Sequence, residues 1–148
     1  MPSHVTVMTV PERPTAVLTA TTTWADYPRV WKQLLGEVQA GVEWPAGGRQ
    51  GRIVMLYLDD WPSVEVGVEL DRPAKVGEGI VRSVLPAGRV AVTVHRGPYE
   101  KLGETYEILL CWCAEQGLKV TRTRWEVYGH WHEDPAQLET ELYWLLAE

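Results

Sequence analysis

Apolar and polar positions alternate strictly along residues 64–71, with Val64, Val66, Val68 and Leu70 on one side and Glu65, Gly67, Glu69 and Asp71 on the other. A period of two is that of a β-strand with one face in a core. Further β-rich runs bounded by Gly, Pro or Asp occupy residues 4–11, 15–22, 52–60, 78–86, 88–97, 121–129 and 138–147, and residues 52–71 read as a β-hairpin. Two stretches instead repeat their apolar positions at helical spacing. In residues 24–41, Tyr27, Val30, Trp31, Leu34 and Val38 share a side, and Pro28, tolerated only in a first turn, sets the helix start near Asp26. In residues 99–117, Leu102, Tyr106, Leu109, Leu110 and Cys113 form the buried stripe and Gly117 ends the helix. Residues 47–51, GGRQG, read as a loop.

The order β-β-α-β-β therefore occurs twice. It predicts one α+β domain over residues 1–148, made of pseudo-repeats at about 3–72 and 76–147, with antiparallel sheets and two long helices packed on sheet faces. A chain of 148 residues holds one substantial core and leaves little room for a second domain.

Strand parity separates core faces from faces that carry chemistry. In residues 125–128, Glu126 and Tyr128 share a face and Trp125 and Val127 the other. A face bearing carboxylates is either a solvated sheet surface or the floor of a ligand groove, and both readings stand for Glu65 and Glu69. Glu126 lies among rings, where a carboxylate needs a partner and takes a raised pKa. Gly67, lacking a side chain within a strand, lets a ligand or another segment approach.

Composition sharpens this reading. The chain has eight Trp, six Tyr and no Phe, so its Trp and Tyr rings each carry a polar handle, which suits a pocket for flat, partly polar molecules as well as a core. Fourteen Lys and Arg against twenty Asp and Glu give a net charge of -6, which disfavours phosphate-backbone binding and suits a cationic or neutral partner. Cys111 and Cys113 are too close on a helix for an easy bridge and read as reduced, small apolar residues. No membrane span or secretion signal is evident, so a cytoplasmic protein is expected, with no membrane partner. His130, His132, Glu133 and Asp134 offer metal-ligating atoms, but they crowd a turn without structural-zinc spacing and read as surface residues. No metal and no cofactor is expected, and phosphate-loop, nucleophile-elbow and HExxH signatures are absent.

One junction stands out. His95-Arg96-Gly97-Pro98-Tyr99 joins a strand to the second helix, and its Gly, Pro and ring make either a stiff turn alone or a turn that also walls a site. Residues His95, Gly97, Pro98, Tyr99, Leu102, Tyr106, Trp112, Glu126, Tyr128, Asp134 and Pro135 together resemble the pattern of the GyrI-like small-molecule-binding domains, related to effector domains of multidrug-responsive and AraC-type regulators. The last strand departs from it, reading ELYWLLAE where the family usually has an Ile-x-x-Pro-Val-like segment, so the edge near Trp144 is expected to differ.

The resemblance implies pseudo-twofold symmetry and a groove between the halves, lined by rings around a central acid that recognises planar aromatic or cationic small molecules. Carried onto this chain, the acid is Glu126, with Tyr128 beside it. The expected ligand-binding set is Glu126, Tyr128, Glu65, Gly67, Tyr57, Met8, Tyr99, Tyr106, Trp112 and Trp144. With no DNA-binding segment before the first strand, no direct nucleic-acid binding is expected, and the chain is expected as a monomer or weak dimer. Three roles follow. The first is drug binding or sequestration. The second is hydrolysis, because some stand-alone members of the family resemble enzymes that open the cyclopropane of DNA-alkylating natural products; Glu126, or Glu65 as second candidate, would then be the base and Tyr128 a donor to the oxygen that gains charge. The third is a protein-binding role against a partner such as gyrase.

Overall fold

The computed structural model describes residues 4–45 and 49–147, so Gly47 and Gly48 of the predicted loop and the outermost residues of the predicted domain lie outside it. The elements run β1 (Thr6–Val10), β2 (Arg13–Thr21), α1 (Tyr27–Gly41), β3 (Val42–Glu43), β4 (Ile53–Tyr57), β5 (Ser63–Glu69), β6 (Lys75–Val76), β7 (Val81–Leu85), β8 (Gly88–Arg96), α2 (Leu102–Glu115), β9 (Val120–Tyr128) and β10 (Glu139–Leu146). The fold is α+β, as the sequence predicts. Asp26 precedes α1 and Pro28 sits in its first turn.

Eight strands form one antiparallel sheet in the order β1-β8-β10-β9-β4-β5-β2-β7, and β3 pairs with β6 in a small ribbon. Exchanging each strand for its counterpart in the other half reproduces this order in reverse, which is pseudo-twofold symmetry about the central β4·β9 pair. The first strand of each half crosses over: β1 pairs with β8, and β7 with β2. Each half is thus completed by an edge strand from the other.

Both helices lie on one face of the sheet. Tyr27 and Leu35 of α1 pack on Met55, Val64 and Val66, while Leu109 and Cys113 of α2 pack on Ala91 and Leu142. No helix among the described residues covers the opposite face, yet Val17, Val54, Leu85, Val90, Trp125 and Val127 on it are each at most 1% exposed. Only curling of the twisted sheet onto itself buries them. Trp125 stacks on Tyr143 there, with centroids 5.5 Å apart and planes 10° apart.

This double burial corrects the reading of one solvated or ligand-facing side of β5. Val64, Val66 and Val68 share their face with Glu126, since Met55 pairs with both Val66 and Glu126. Glu65, Gly67 and Glu69 point into the curl. Glu65 accepts a hydrogen bond from the Ser83 hydroxyl at 2.7 Å. Glu69 pairs with Arg13 and Arg52, and Arg52 reaches across to Glu141 at 2.7 Å, tying the two halves together. At Gly67 it is β2 that comes close: a Cβ would collide with the Ala16 carbonyl.

The strand-to-helix corner owes its shape to two residues. Gly97 adopts φ +122, a left-handed region that L side chains avoid, and its N–H donates to Leu138 O at 2.9 Å. Pro98 opens a 3-10 turn at Tyr99–Lys101, and α2 proper begins only at Leu102. His95, 5% exposed, locks the corner from below. Its Nε2 lies 2.9 Å from the Pro98 carbonyl, which can only accept, so Nε2 carries the proton, and its Nδ1 lies 2.6 Å from the Thr105 hydroxyl of α2.

Candidate functional site

The central strand pair sets the site. Met55 faces Glu126 and Tyr57 faces Arg124 across β4·β9, all on the helix-bearing side. Glu126 is 4% exposed, and three tyrosines from three elements converge on it. Tyr57 of β4 and Tyr128 of β9 donate to its Oε1 at 3.0 and 2.6 Å, and Tyr106 of α2 donates to its Oε2 at 2.7 Å. A carboxylate offers about four lone-pair directions, so three are filled.

Burial pushes the Glu126 carboxyl above the ordinary carboxylate range, against the pull of the Tyr128, Tyr106 and Tyr57 hydroxyls and the Arg124 guanidinium. Burial, reinforced by the Glu126 charge, drives the hydroxyls of Tyr57, Tyr106 and Tyr128 well above the usual phenol value. A phenol is already protonated at neutral pH, so there the three hydroxyls act as donors. When Glu126 is ionised, the three hydroxyls stabilise its charge in a low-dielectric setting by donating to it.

Two cavities adjoin this cluster, with Tyr57 and Glu126 as common wall. The larger, about 390 Å³, is lined by rings of Tyr27, Trp31, Tyr99, Tyr128 and Trp131 together with Leu35, Ile53, Met55 and Leu102. The smaller, about 260 Å³, adds Trp24, Tyr106, Leu110, Arg124 and Trp144. Ring contacts stiffen both: Tyr99 meets Tyr128 edge to face at 5.4 Å, and Tyr106 meets Trp144 edge to face at 5.8 Å. The Tyr27 hydroxyl, in the wall of the larger cavity, is buried without a hydrogen-bond partner among the described residues. A wider depression of about 540 Å³ beside the β3–β6 ribbon is lined by Trp44, Pro45 and Pro73 together with Glu43, Lys75 and Arg82.

Of the residues singled out in the sequence, Glu126, Tyr128, Tyr57, Tyr99, Tyr106 and Trp144 come together at these cavities. Four do not. Glu65 and Gly67 lie on the other side of the sheet, because the apolar face of β5 is the one turned toward α1 and the groove. Met8, on edge strand β1, is 48% exposed and shares its side with Val90 in the curl. Trp112 turns toward the core under α2, against Leu109, Cys113 and their neighbours.

Tyr27 and Trp31 of α1 and Leu102 of α2 read as core stripes from helical spacing, and they line the larger cavity. Met55 carried a signal only through the β4·β9 register, which local sequence does not reveal. Trp24 sits in a turn and Trp131 in the segment after β9, where periodicity says nothing, whereas Arg124 lies mid-strand in β9 on the face of Glu126 and Tyr128, where alternation was the signal that could have found it. Among the described residues no group of three or more His, Cys, Asp or Glu could hold a metal ion. No helix among them is long and apolar enough to cross a membrane.

The GyrI-like small molecule binding domain matches residues 62–147, more than half of the chain. The chain belongs to that family. Solved structures extend the fold to the remainder. The EcmrR C-terminal domain superimposes with TM-score 0.69 at 20% identity, covering 100% of this chain and 99% of that one. Within the EcmrR–DNA complex the match spans 58% of the EcmrR chain. SAV2435 bound to tetraphenylphosphonium matches with TM-score 0.68 at 12% identity over 97% of this chain and 94% of that one. A hydrolase encoded by lin2189 from Listeria innocua matches with TM-score 0.59 at 12% identity, over 97% and 91%. No curated protein matches the sequence. At these identities the structures establish a shared fold, and the family match adds small-molecule binding as its character.

Proposed function

We propose that this GyrI-like domain binds flat, apolar cations in the larger cavity, with their positive charge held near Glu126. One observation carries the reading: a buried carboxylate, fixed by three hydroxyl donors, faces a cavity whose described lining includes no Lys or Arg. A buried carboxylate in no direct salt bridge among the described residues is costly, and an incoming cation with aromatic bulk relieves that cost while its rings pack on Trp31, Tyr99 and Tyr128. Ring faces tolerate many outlines, so selectivity is by charge and aromatic surface more than by outline. Tetraphenylphosphonium, the molecule bound to SAV2435, is likewise an apolar aromatic cation, its four flat rings set tetrahedrally about the charged phosphorus. Drug binding or sequestration is the corresponding role.

Quenching of Trp fluorescence by a rhodamine-type dye tests it. Saturable binding is expected, weakened roughly 10- to 100-fold in Glu126→Gln, as for loss of a charge-assisted contact worth about 1.5–3 kcal/mol. Equal affinity in both proteins would refute the role of the acid.

A second reading takes its support from the hydrolase among the structural neighbours. Water would add to a cyclopropane carbon, its proton passing to Glu126, while the strained C–C bond breaks toward a conjugated oxygen that Tyr128 stabilises. Three filled lone-pair directions suit Glu126 better to holding charge than to accepting a proton, so binding without turnover is favoured. Mass spectrometry of a cyclopropane-bearing alkylator incubated with catalytic amounts of protein decides between them. Many water adducts per protein molecule, lost in Glu126→Gln, would establish the hydrolase; none above the uncatalysed rate is expected for the binder.

A further inference from the structure

The two cavities are counterparts under the pseudo-twofold. Laying β2 on β8 residue for residue carries, through the strand registers, Tyr57 onto Tyr128, Met55 onto Glu126, Ile53 onto Arg124 and Val68 onto Trp144. Laying the first residue of α1 on that of α2 carries Trp24 onto Tyr99, Trp31 onto Tyr106 and Leu35 onto Leu110. The larger cavity therefore has Ile53 where the smaller has Arg124. Trp for Val and Arg for Ile account for the smaller volume.

Arg124 is held as a ligand would be. Its guanidinium lies 5.2 Å from the Trp144 ring, 5.3 Å from Tyr57 and 5.5 Å from Trp24, within the range of cation–π attraction. Its Nη1 donates to Arg122 O at 2.8 Å, to Asp60 Oδ1 at 3.0 Å and to Asp59 O at 3.2 Å, and the residue is 8% exposed. Glu126 stands in the same wall. A cation in a cage of three rings beside the central carboxylate is the arrangement proposed above for the ligand in the other cavity.

We infer that the smaller cavity is a second cation site filled by the chain's own Arg124, which confines an incoming cation to the Ile53 side of the groove. The inference rests on the reading that cations bind near Glu126. It makes Arg124 a determinant of stoichiometry and selectivity: its charge repels a second cation, and its side chain occupies the rings that such a cation would need. The residue also bears on Glu126 directly, since its positive charge pulls the Glu126 carboxyl down.

Two reciprocal substitutions test this with benzyltrimethylammonium, a small aromatic cation, titrated by calorimetry with the stoichiometry counted by native mass spectrometry. Wild type is expected to take one cation per chain. Arg124→Gln, which removes the charge and shortens the side chain while keeping it polar, is expected to take two, and its acid-induced loss of binding shifts to higher pH. Ile53→Arg, which supplies the missing guanidinium on the open side, is expected to take none while keeping its circular-dichroism spectrum. One cation per folded Arg124→Gln chain with unchanged affinity and pH profile would overturn the inference, as would undiminished binding by Ile53→Arg. Should Arg124→Gln fail to fold, Ile53→Arg decides alone. A wild-type chain that binds neither this probe nor tetraphenylphosphonium would instead overturn the binding function itself, and the inference with it.

Discussion

The protonation of Glu126 links its surroundings to both affinity and stability. Because burial raises its pKa in the folded protein, the carboxyl binds its proton more tightly there than in the unfolded chain. Its contribution to stability is therefore fully present below the ordinary carboxylate pKa and is lost as pH rises through the raised value. Chemical denaturation should show wild type gaining stability relative to Glu126→Gln as pH falls through that window, and the opposite slope would contradict the assignment. Affinity for a cation runs the other way, weakening as the acid is protonated. The Tyr128 hydroxyl pulls the Glu126 pKa down, so Tyr128→Phe should move the acid loss of tetraphenylphosphonium binding to higher pH; an unmoved midpoint would show that this hydrogen bond does not govern the charge. Alternation in β9 already put Glu126 and Tyr128 on one face. Their convergence with Tyr57 and Tyr106 depends on strand pairing and helix placement, which residue order does not encode locally.

At the scale of elements, the corner between β8 and α2 joins structure to site. Gly97 supplies the left-handed backbone, His95 bonds both sides of the bend, and Tyr99 emerges with its ring against Tyr128 at the cavity wall. Gly97→Ala should destabilise the fold by roughly 1 kcal/mol or more through its backbone alone, read as a lowered denaturation midpoint. Tyr99→Leu is expected to weaken dye binding while costing under about 1 kcal/mol, because the ring is only partly buried. A larger stability loss with dye affinity intact would make Tyr99 a core residue. Trp112→Leu should behave in that second way, since its ring packs beneath α2. Helical period found the core side of both helices, but Trp112 borders the stripe of Leu109 and Cys113, and period alone does not say which flank meets core and which meets groove.

For the whole molecule, the repeated β-β-α-β-β order was legible because each element carries its own period and punctuation. The curl of the sheet was not. Val64, Val66 and Val68 alternating with Glu65 and Glu69 look like one buried and one exposed side, whereas here both sides are covered, one by α1 and the other by the sheet itself. Hence Glu65 lay on the wrong side for the groove. The crossing of β1 and β7 into opposite halves was equally hidden, being a long-range pairing. The fold brings β4 and β9 side by side at its centre, so that one half supplies Tyr57 and Met55 and the other supplies Glu126, Tyr106 and Tyr128. The central claim is that this junction holds a fixed negative charge for a lipophilic cation. Calorimetric titration of tetraphenylphosphonium into wild type and Glu126→Gln from neutral to acidic pH tests it most directly. We expect tight binding by wild type at neutral pH that falls away above the ordinary carboxylate range, and weak, pH-independent binding by Glu126→Gln. Superimposable profiles for the two proteins would contradict it.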